Sequence, residues 1–167
     1  VFKAEAVLNG KPTKVAIKMI HPHVHEQMAT DMELLTSFGD FIDRFPNLEI
    51  LSIGETMRQF AVAMRSQLDL TKEAMCMVKF GKNFAHDNWA VFPQPIEGWV
   101  TKNVLMETFM DGTPIKEYMQ NQKNLPEALS LKLSDLGTRL VTKMIFFDNF
   151  IHGDLHPGNL KVKVSEN

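Results

Sequence analysis

Alternating apolar and polar positions at the start of the chain predict β-strands. The runs Val1–Leu8 and Lys14–Ile20 are short and β-prone, and Asn9-Gly10-Lys11-Pro12 between them is typical of a hairpin turn. Apolar residues then recur at three- and four-residue spacing, which is the repeat of one helix face. This repeat predicts a helical region from Val24 to Phe45 and a second from Leu51 to Phe84.

A second strand-forming segment follows the helical regions. Residues Gly98–Phe109 are predicted to form another hairpin, with Lys102-Asn103 in its turn. A short helix is predicted over Ile115–Gln122, and a long one from Pro126, which is favoured in a first helical turn, to about Phe150. The order of strands, helices, strands and helices favours an α+β fold with its sheet in the first part of the chain.

Composition narrows the class of protein. The chain has 167 residues, 44% hydrophobic and 23% charged, which suits one globular domain or two small lobes. Its net charge of −2 makes a large basic surface for nucleic acid unexpected. The single cysteine, Cys76, excludes an internal disulfide framework, and its helical neighbours predict a buried thiol. Because Val1 falls in the middle of a predicted strand, we expect a fragment of a longer protein.

The strand sequence VAIK, residues 15–18, is the first candidate for chemistry. Alternation places Ala16 and Lys18 on one face. A lysine at a strand end is usually a solvated charge, but a carboxylate partner could instead hold it against phosphate oxygens. Glu73 in QLDLTKEA is the candidate partner, although a solvated acidic face beside Lys72 would equally explain it. These residues alone leave both interpretations open.

The stretch IHGDLHPGNL, residues 151–160, favours the phosphate-binding interpretation. Asp154 and Asn159 have the D-x-x-x-x-N spacing of a kinase catalytic loop. One short loop can then supply an aspartate that orients the nucleophile's proton and an asparagine whose carbonyl oxygen binds Mg²⁺. Pro157-Gly158 is predicted to turn the loop so that both side chains lie on the same side.

Two other interpretations of this loop are weaker. His152, Asp154 and His156 alternate and could ligate zinc from one strand face, but no complementary ligand motif accompanies them in the sequence. GDLH is also similar to part of binuclear phosphoesterase sites, which need several more Asp, His and Asn motifs than this sequence contains. The kinase-like interpretation therefore remains the leading one.

Four segments in this order, VAIKMIHPHV, QLDLTKEA, VLMETFMDGTPI and HGDLHPGNL, resemble the UbiB/aarF family of atypical kinase-like proteins, and in particular its mitochondrial aarF-domain subgroup. The resemblance covers nearly the whole chain. It implies a truncated protein kinase-like bilobal fold, ATP and Mg²⁺ as cofactors, and an atypical kinase or ATPase that supports ubiquinone (coenzyme Q) biosynthesis or mitochondrial lipid metabolism. The implied partners are lipid or quinone precursors and coenzyme Q biosynthetic proteins at the mitochondrial inner membrane.

The same resemblance implies catalytic roles for four residues. Lys18 is expected to contact the nucleotide phosphates, and Glu73 is expected to pair with Lys18. Asp154 is expected to be the catalytic aspartate of the loop, and Asn159 its metal ligand. The roles of Lys18 and Glu73 rest on the resemblance, whereas the loop spacing already indicated those of Asp154 and Asn159.

It also implies a nucleotide-binding hinge. Adenine would stack against Met106–Met110, with backbone groups of Glu107 and Phe109 as hydrogen-bond partners, and Met106 and Ala16 would also contact the cofactor. The implied N-terminal lobe covers residues 1–107, and the hinge and partial C-terminal lobe cover 108–167. The parts of the first lobe are a hairpin at 1–20, a helical insertion at 24–66, the helix bearing Glu73 at 67–85 and a hairpin at 91–107.

The sequence departs from the family pattern in three places. Gln67 replaces the first acidic residue of the usual E-x-D pair, which leaves Asp69. The family's K-x-G-Q element would precede Val1, and its D-x-G metal aspartate would follow Asn167. We therefore expect these 167 residues alone to bind nucleotide poorly. A non-catalytic nucleotide-gated scaffold and a small-molecule phosphotransferase of the aminoglycoside or choline kinase type remain alternatives.

Overall fold

The computed structural model describes residues 1–47, 49–120 and 125–164. Its strands are β1 Phe2–Leu8, β2 Lys11–Met19, β3 Pro95–Val100, β4 Val104–Thr108, β5 Thr113–Pro114 and β6 Lys161–Val162. Its helices are α1 Val24–Ile42, α2 Ile53–Gln67, α3 Leu70–Asn83, α4 Ile115–Gln120 and α5 Glu127–Thr142. A 3₁₀ turn spans Glu49–Leu51 and a π-helical turn spans Lys143–Phe147. Within the described residues, no helix combines the length and apolarity needed to cross a membrane.

The chain divides into two compact units. The first comprises residues 1–79 and 94–108, and the second comprises 80–93 and the described residues from 109 onward. The first unit thus ends beside the predicted lobe boundary, whereas 80–93, assigned by prediction to the N-terminal lobe, belong to the second unit. The reason is packing, because Phe80 and Phe84 are buried in the core of the second unit.

The first unit contains a four-stranded antiparallel sheet in the order β1-β2-β4-β3. Asn9 and Gly10 turn the first hairpin with φ of 51° and 75°, the positive values that suit the twist of a two-residue loop. In the central pair, Ala16 lies opposite Glu107 and Lys18 lies opposite Leu105. Because opposed residues project to the same face, these side chains share one surface of the sheet.

A hairpin of α1 and α2 also belongs to the first unit. Gly39 and Gly54 lie where the helices approach, and a Cβ added at Gly39 would come within 2.9 Å of Gly54 Cα. Asp43 accepts hydrogen bonds from the amides of Ile53 and Gly54 at 2.9 and 2.8 Å. These amides begin α2 and have no partner within the helix. Small residues and the Asp43 carboxylate therefore help to hold the hairpin closed.

Helix boundaries in the structure differ from the predicted ones. The helical region predicted from Leu51 to Phe84 consists of two helices, α2 and α3, because the chain leaves helical geometry at Leu68 and Asp69. The short helix predicted to Gln122 extends to Gln120, and residues 121–122 lie outside the described residues. Cys76 is exposed rather than buried, because it lies on the outer face of α3.

The second unit is built around an aromatic core. Four buried side chains form its centre: Phe80, Phe84, Leu140 and Met144. The long helix predicted to Phe150 ends earlier as a regular helix, at Thr142. There Asp148 donates its amide proton to Lys143 O at 3.0 Å, the five-residue spacing of a π turn. This turn leads directly into residues 151–160.

Candidate functional site

Lys18 and Glu73 form an ion pair in the first unit. Lys18 Nζ, on β2, donates a hydrogen bond to Glu73 Oε2, on α3, at 2.6 Å. The two side chains are 40% and 37% exposed, so solvent screens their attraction and the pair adds little to stability. The ion pair instead orients Lys18, because the Glu73 carboxylate holds the Lys18 ammonium extended across the sheet.

The start of α3 fixes the position of Glu73. Asp69 precedes the helix and accepts a hydrogen bond from the Thr71 amide at 3.1 Å, as an N-cap does. The hydrogen bond from the Thr71 hydroxyl also lowers the pKa of Asp69 below its ordinary value. Buried Leu70 and Ala74 pack against Leu105 of the sheet. Asp69 is therefore the capping residue of the helix that carries Glu73.

The side chain of Glu107 joins this group, which sequence reasoning missed. Glu107 lies opposite Ala16 on the face that carries Lys18. Burial raises the pKa of Glu107 above its ordinary value, Glu73 raises it further, and Lys18 opposes the rise. Among the described residues, no donor reaches its buried Oε2 atom. The prediction used only the Glu107 backbone, whereas the alternation of β4, matched to the register of β2, would have shown the side-chain direction.

The residues of the predicted hinge lie partly in β4 and partly in the segment that follows it. Met106 is buried within β4, and because it lies opposite Ile17, its side chain does not share the face of Lys18. Phe109 and Met110 follow β4 and belong to the second unit. There Lys161 Nζ lies 4.9 Å from the centre of the Phe109 ring and donates to Met110 O at 2.9 Å. The proposed adenine contacts of this segment stay predictions.

Asp154 and Asn159 come together in the second unit. Asn159 Nδ2 donates to Asp154 Oδ2 at 3.1 Å and to Asp154 O at 2.9 Å. The Asn159 amide also donates to His156 O at 2.9 Å and closes a turn over Pro157-Gly158. The loop thus folds back on itself, which sets the two predicted functional side chains next to each other.

Packing and pairing anchor both ends of this loop. Phe150 and the loop residues Leu155 and Leu160 pack against the aromatic core. After the loop, β6 pairs with β5, and Ile115 donates its amide proton to Leu160 O at 2.9 Å. At Gly112, where φ is 142°, a Cβ would come within 2.9 Å of Val162 O, so the pairing needs a glycine there. The catalytic-loop candidate is therefore held from its apolar side.

The oxygen atoms of this loop suit Mg²⁺. The Asp154 side chain is 79% exposed. Since Asn159 turns its NH₂ group toward Asp154, its carbonyl oxygen is directed away from that carboxylate. Mg²⁺ takes one or two carboxylate or carbonyl oxygens and completes its shell with phosphates and water. No cluster of three or more His, Cys, Asp or Glu side chains gathers anywhere in the described part of the chain, and His152 and His156 lie outside any strand.

The chain is similar to known proteins along its whole length. The profile of the ABC1 atypical kinase-like domain matches residues 1–167. The chain belongs to the ABC1 atypical kinase-like domain family. The predicted resemblance to UbiB/aarF proteins is confirmed by this match and by similarity to UbiB itself.

Three curated relatives illustrate the family. The ABC1 chain is 32% identical over 163 residues to a mitochondrial ABC1 family protein of Schizosaccharomyces pombe, which covers 97% of the chain and 23% of that protein. It is 34% identical over 155 residues to the probable serine/threonine-protein kinase abkC of Dictyostelium discoideum, and the match covers 92% of this chain and 22% of that protein. It is 26% identical over 159 residues to the probable protein kinase UbiB of Shewanella pealeana, and the match covers 94% of this chain and 28% of that protein. The ABC1 chain therefore spans about a quarter of the length of these relatives.

A solved structure shares the fold of the ABC1 chain. It is the complex of Rv3197 with erythromycin from Mycobacterium tuberculosis, with a TM-score of 0.75 over 94% of this chain and 38% of that chain. The sequence identity is 20%, so the likeness concerns the fold alone. The predicted α+β, kinase-like fold class is confirmed.

Proposed function

We propose that this ABC1 chain contributes to an ATP- and Mg²⁺-dependent atypical kinase or ATPase. The observation that carries the proposal is the 2.6 Å pair between Lys18 and Glu73. In kinase-like proteins, a strand lysine held by a helix glutamate binds nucleotide phosphates. The adjacent oxygens of Asp154 and Asn159 in a tight loop are a second, independent support.

Each group has a chemical role in this proposal. The extended ammonium of Lys18 neutralises phosphate oxygens through charge-assisted hydrogen bonds. The exposed Asp154 carboxylate orients the proton of an attacking hydroxyl or water. Asn159 would hold Mg²⁺, which when bound offsets the charge of the phosphates.

The cellular setting is also a proposal. Relatives from Schizosaccharomyces pombe and Saccharomyces cerevisiae are named mitochondrial, and other relatives are named UbiB. We infer from these names a mitochondrial protein that supports ubiquinone biosynthesis or mitochondrial lipid metabolism. Its partners would be lipid or quinone precursors and coenzyme Q biosynthetic proteins, at the inner membrane.

Replacing Lys18 in the full-length protein tests the nucleotide role. Lys18→Ala should weaken Mg-ATP binding by about 10- to 100-fold, the value of one charge-assisted hydrogen bond. Lys14→Ala is the matched control, because it removes an exposed ammonium from the same strand. The readout is displacement of a fluorescent nucleotide. Equal affinities for the wild type and Lys18→Ala would contradict the proposal.

A second measurement separates turnover from a scaffold role. Phosphate release by the full-length protein should be detectable with Mg-ATP and should change when lipid headgroup mimics are added. Tight ATP binding without any phosphate release would instead favour the nucleotide-gated scaffold. An alcohol acceptor that becomes labelled would favour a small-molecule phosphotransferase.

A further inference from the structure

Three charged side chains of the second unit gather beside the entry to the loop of residues 151–160, and none of the three has a role in the chemistry above. Lys143, in the π-helical turn, donates a hydrogen bond from Nζ to Asp148 Oδ1 at 3.0 Å, and the same Nζ lies 3.7 Å from Asp87 Oδ2. The Lys143 and Asp148 side chains are 24% and 11% exposed. Buried charges are screened less than surface charges, so these three groups constrain one another.

The segment 80–93 holds the Lys143 ammonium in place. The ammonium lies 4.9 Å from the centre of the buried Phe84 ring, which is a cation–π distance. Trp89 Nε1 donates a hydrogen bond to Asp87 Oδ1 at 3.0 Å and so orients the carboxylate that faces Lys143. Residues that are remote from the loop in sequence therefore fix the position of this ammonium.

Asp148 links the ammonium to the loop. Its amide donates to Lys143 O at 3.0 Å, and two residues later the Phe150 amide donates to Met144 O at 2.9 Å. Between them Asn149 has φ of 44°, a left-handed conformation that turns the chain out of the helix. Asp148 Oδ2 is shielded from solvent and meets no donor within the described residues, so the hydrogen bond from Lys143 to Oδ1 is what offsets the carboxylate. The direction in which the chain enters the loop thus depends on this ion pair.

We propose that Lys143 is a positioning residue for the candidate catalytic loop. Through Asp148 it sets where the Asp154 carboxylate lies, and it acts through the backbone rather than by contact with the reacting groups. This inference rests on the proposed function and adds a residue on which that function depends. Because a displacement of about 1 Å can slow a reaction by about 100-fold, a change at Lys143 should reach the chemistry as well as the stability.

Steady-state phosphate release from Mg-ATP by the full-length protein tests the proposal. Lys143→Met keeps an unbranched side chain and removes the ammonium, so it should lower kcat by about 10- to 100-fold while KM for Mg-ATP changes by less than about threefold. Lys143→Arg keeps the charge and can donate to both oxygens of Asp148, so it should recover most of the rate. Lys132→Met removes an exposed ammonium from α5 and is the matched control, with no expected change in kcat.

Hydrogen exchange supplies a readout that needs no turnover. In Lys143→Met the amides of residues 151–160 should exchange faster than in the wild type, because the loop opens more often. The amides of α1, in the first unit, should keep their protection, and Lys132→Met should leave the exchange of the loop unchanged. An ion pair that serves stability alone would instead lower the urea midpoint of Lys143→Met and leave kcat and the exchange of the loop as they are in the wild type.

The outcomes separate this inference from the proposed function. If the wild type releases no phosphate, the proposed catalytic function fails, and the exchange of the loop alone decides the role of Lys143. If the wild type turns over, but Lys143→Met has an unchanged kcat or unchanged loop exchange, the positioning role is overturned and the proposed function stands. Should Lys143→Met not fold, Asp148→Asn takes its place with the same expected outcomes, because it keeps the shape of the side chain and removes the charge that Lys143 binds.

Discussion

The two units hold their candidate functional groups in opposite ways. In the first unit, Lys18 and Glu73 are 55 residues apart in sequence and meet only because a strand and a helix pack together. In the second, Asp154 and Asn159 are five residues apart and meet because one turn folds the chain back. The first pair thus depends on tertiary packing, whereas the second depends on local loop geometry. Substitutions can test that difference.

The largest expected effect comes from the loop. Asp154→Asn in the full-length protein should reduce phosphate release by about 10²- to 10⁴-fold, the usual contribution of a positioned acid or base. Nucleotide affinity should change much less, because Lys18 is untouched. Asp135→Asn, an exposed carboxylate on α5, is the matched control. A rate for Asp154→Asn within about threefold of the wild type would remove this loop from the chemistry.

The next largest effect, on stability, is expected at Gly112, where β5 pairs with β6 after the loop. Gly112→Ala places a Cβ against Val162 O in a backbone conformation unfavourable for alanine, so it should destabilise the protein by about 1–3 kcal/mol. Gly137→Ala, in an open position on α5, should instead be neutral or stabilising by about 0.5–1 kcal/mol. Urea unfolding measures both. Equal stabilities of the two variants would show that the β5–β6 pairing does not hold the loop.

A smaller effect is expected at the cap of α3, on which the first unit depends. Asp69→Ala should lower Tm at neutral pH, because the helix that carries Glu73 loses its N-cap. The pKa of Asp69 is lowered from 3.8, so its stabilising contribution is present above pH 3.8 and is lost as the pH falls below that value. Thermal unfolding at neutral pH and below pH 3.8 measures the difference in Tm between the wild type and Asp69→Ala, with exposed Asp31→Ala on α1 as control. A difference in Tm that is equally large in acid would contradict a role for the ionised carboxylate.

The smallest expected effect is the pH dependence of Glu107. Its pKa is raised above 4.5, so the folded state favours the protonated carboxyl, and the stability gained from protonation is lost as the pH rises through the folded-state pKa. Glu107→Gln mimics the protonated form and should have a slightly higher Tm than the wild type at pH 7. The difference should vanish below pH 4.5. A wild type that is more stable than Glu107→Gln at pH 7 would show that another group satisfies the carboxylate.

The loop was the part of the candidate site that the residues themselves predicted. All of its groups lie within ten consecutive positions, and the turn over Pro157-Gly158 is local chemistry. By contrast, the residues themselves gave Glu73 only as a candidate partner of Lys18, and family resemblance was needed to favour it over a solvated acidic face. No local pattern encodes a contact between a strand and a helix that are 55 residues apart in the sequence.

The features that sequence reasoning missed have specific physical causes. The apolar repeat continues across Leu68 and Asp69, so periodicity could not reveal that α2 ends at Gln67 and that the Asp69 carboxylate caps α3. The direction of the Glu107 side chain depends on the register between β2 and β4, which the turn sequences did not fix. The fold class, in contrast, was predictable because it needs only the order and type of the elements.

The π-helical turn at Lys143–Phe147 carries a consequence for insertions and deletions. It accommodates one more residue per turn than a regular helix would. Removing a single residue there would restore the regular repeat and change the direction of the downstream chain little, because one α turn and one π turn rotate the chain through nearly the same angle. A deletion at this point should therefore be tolerated better than one within α5, where the regular repeat leaves no extra residue to lose.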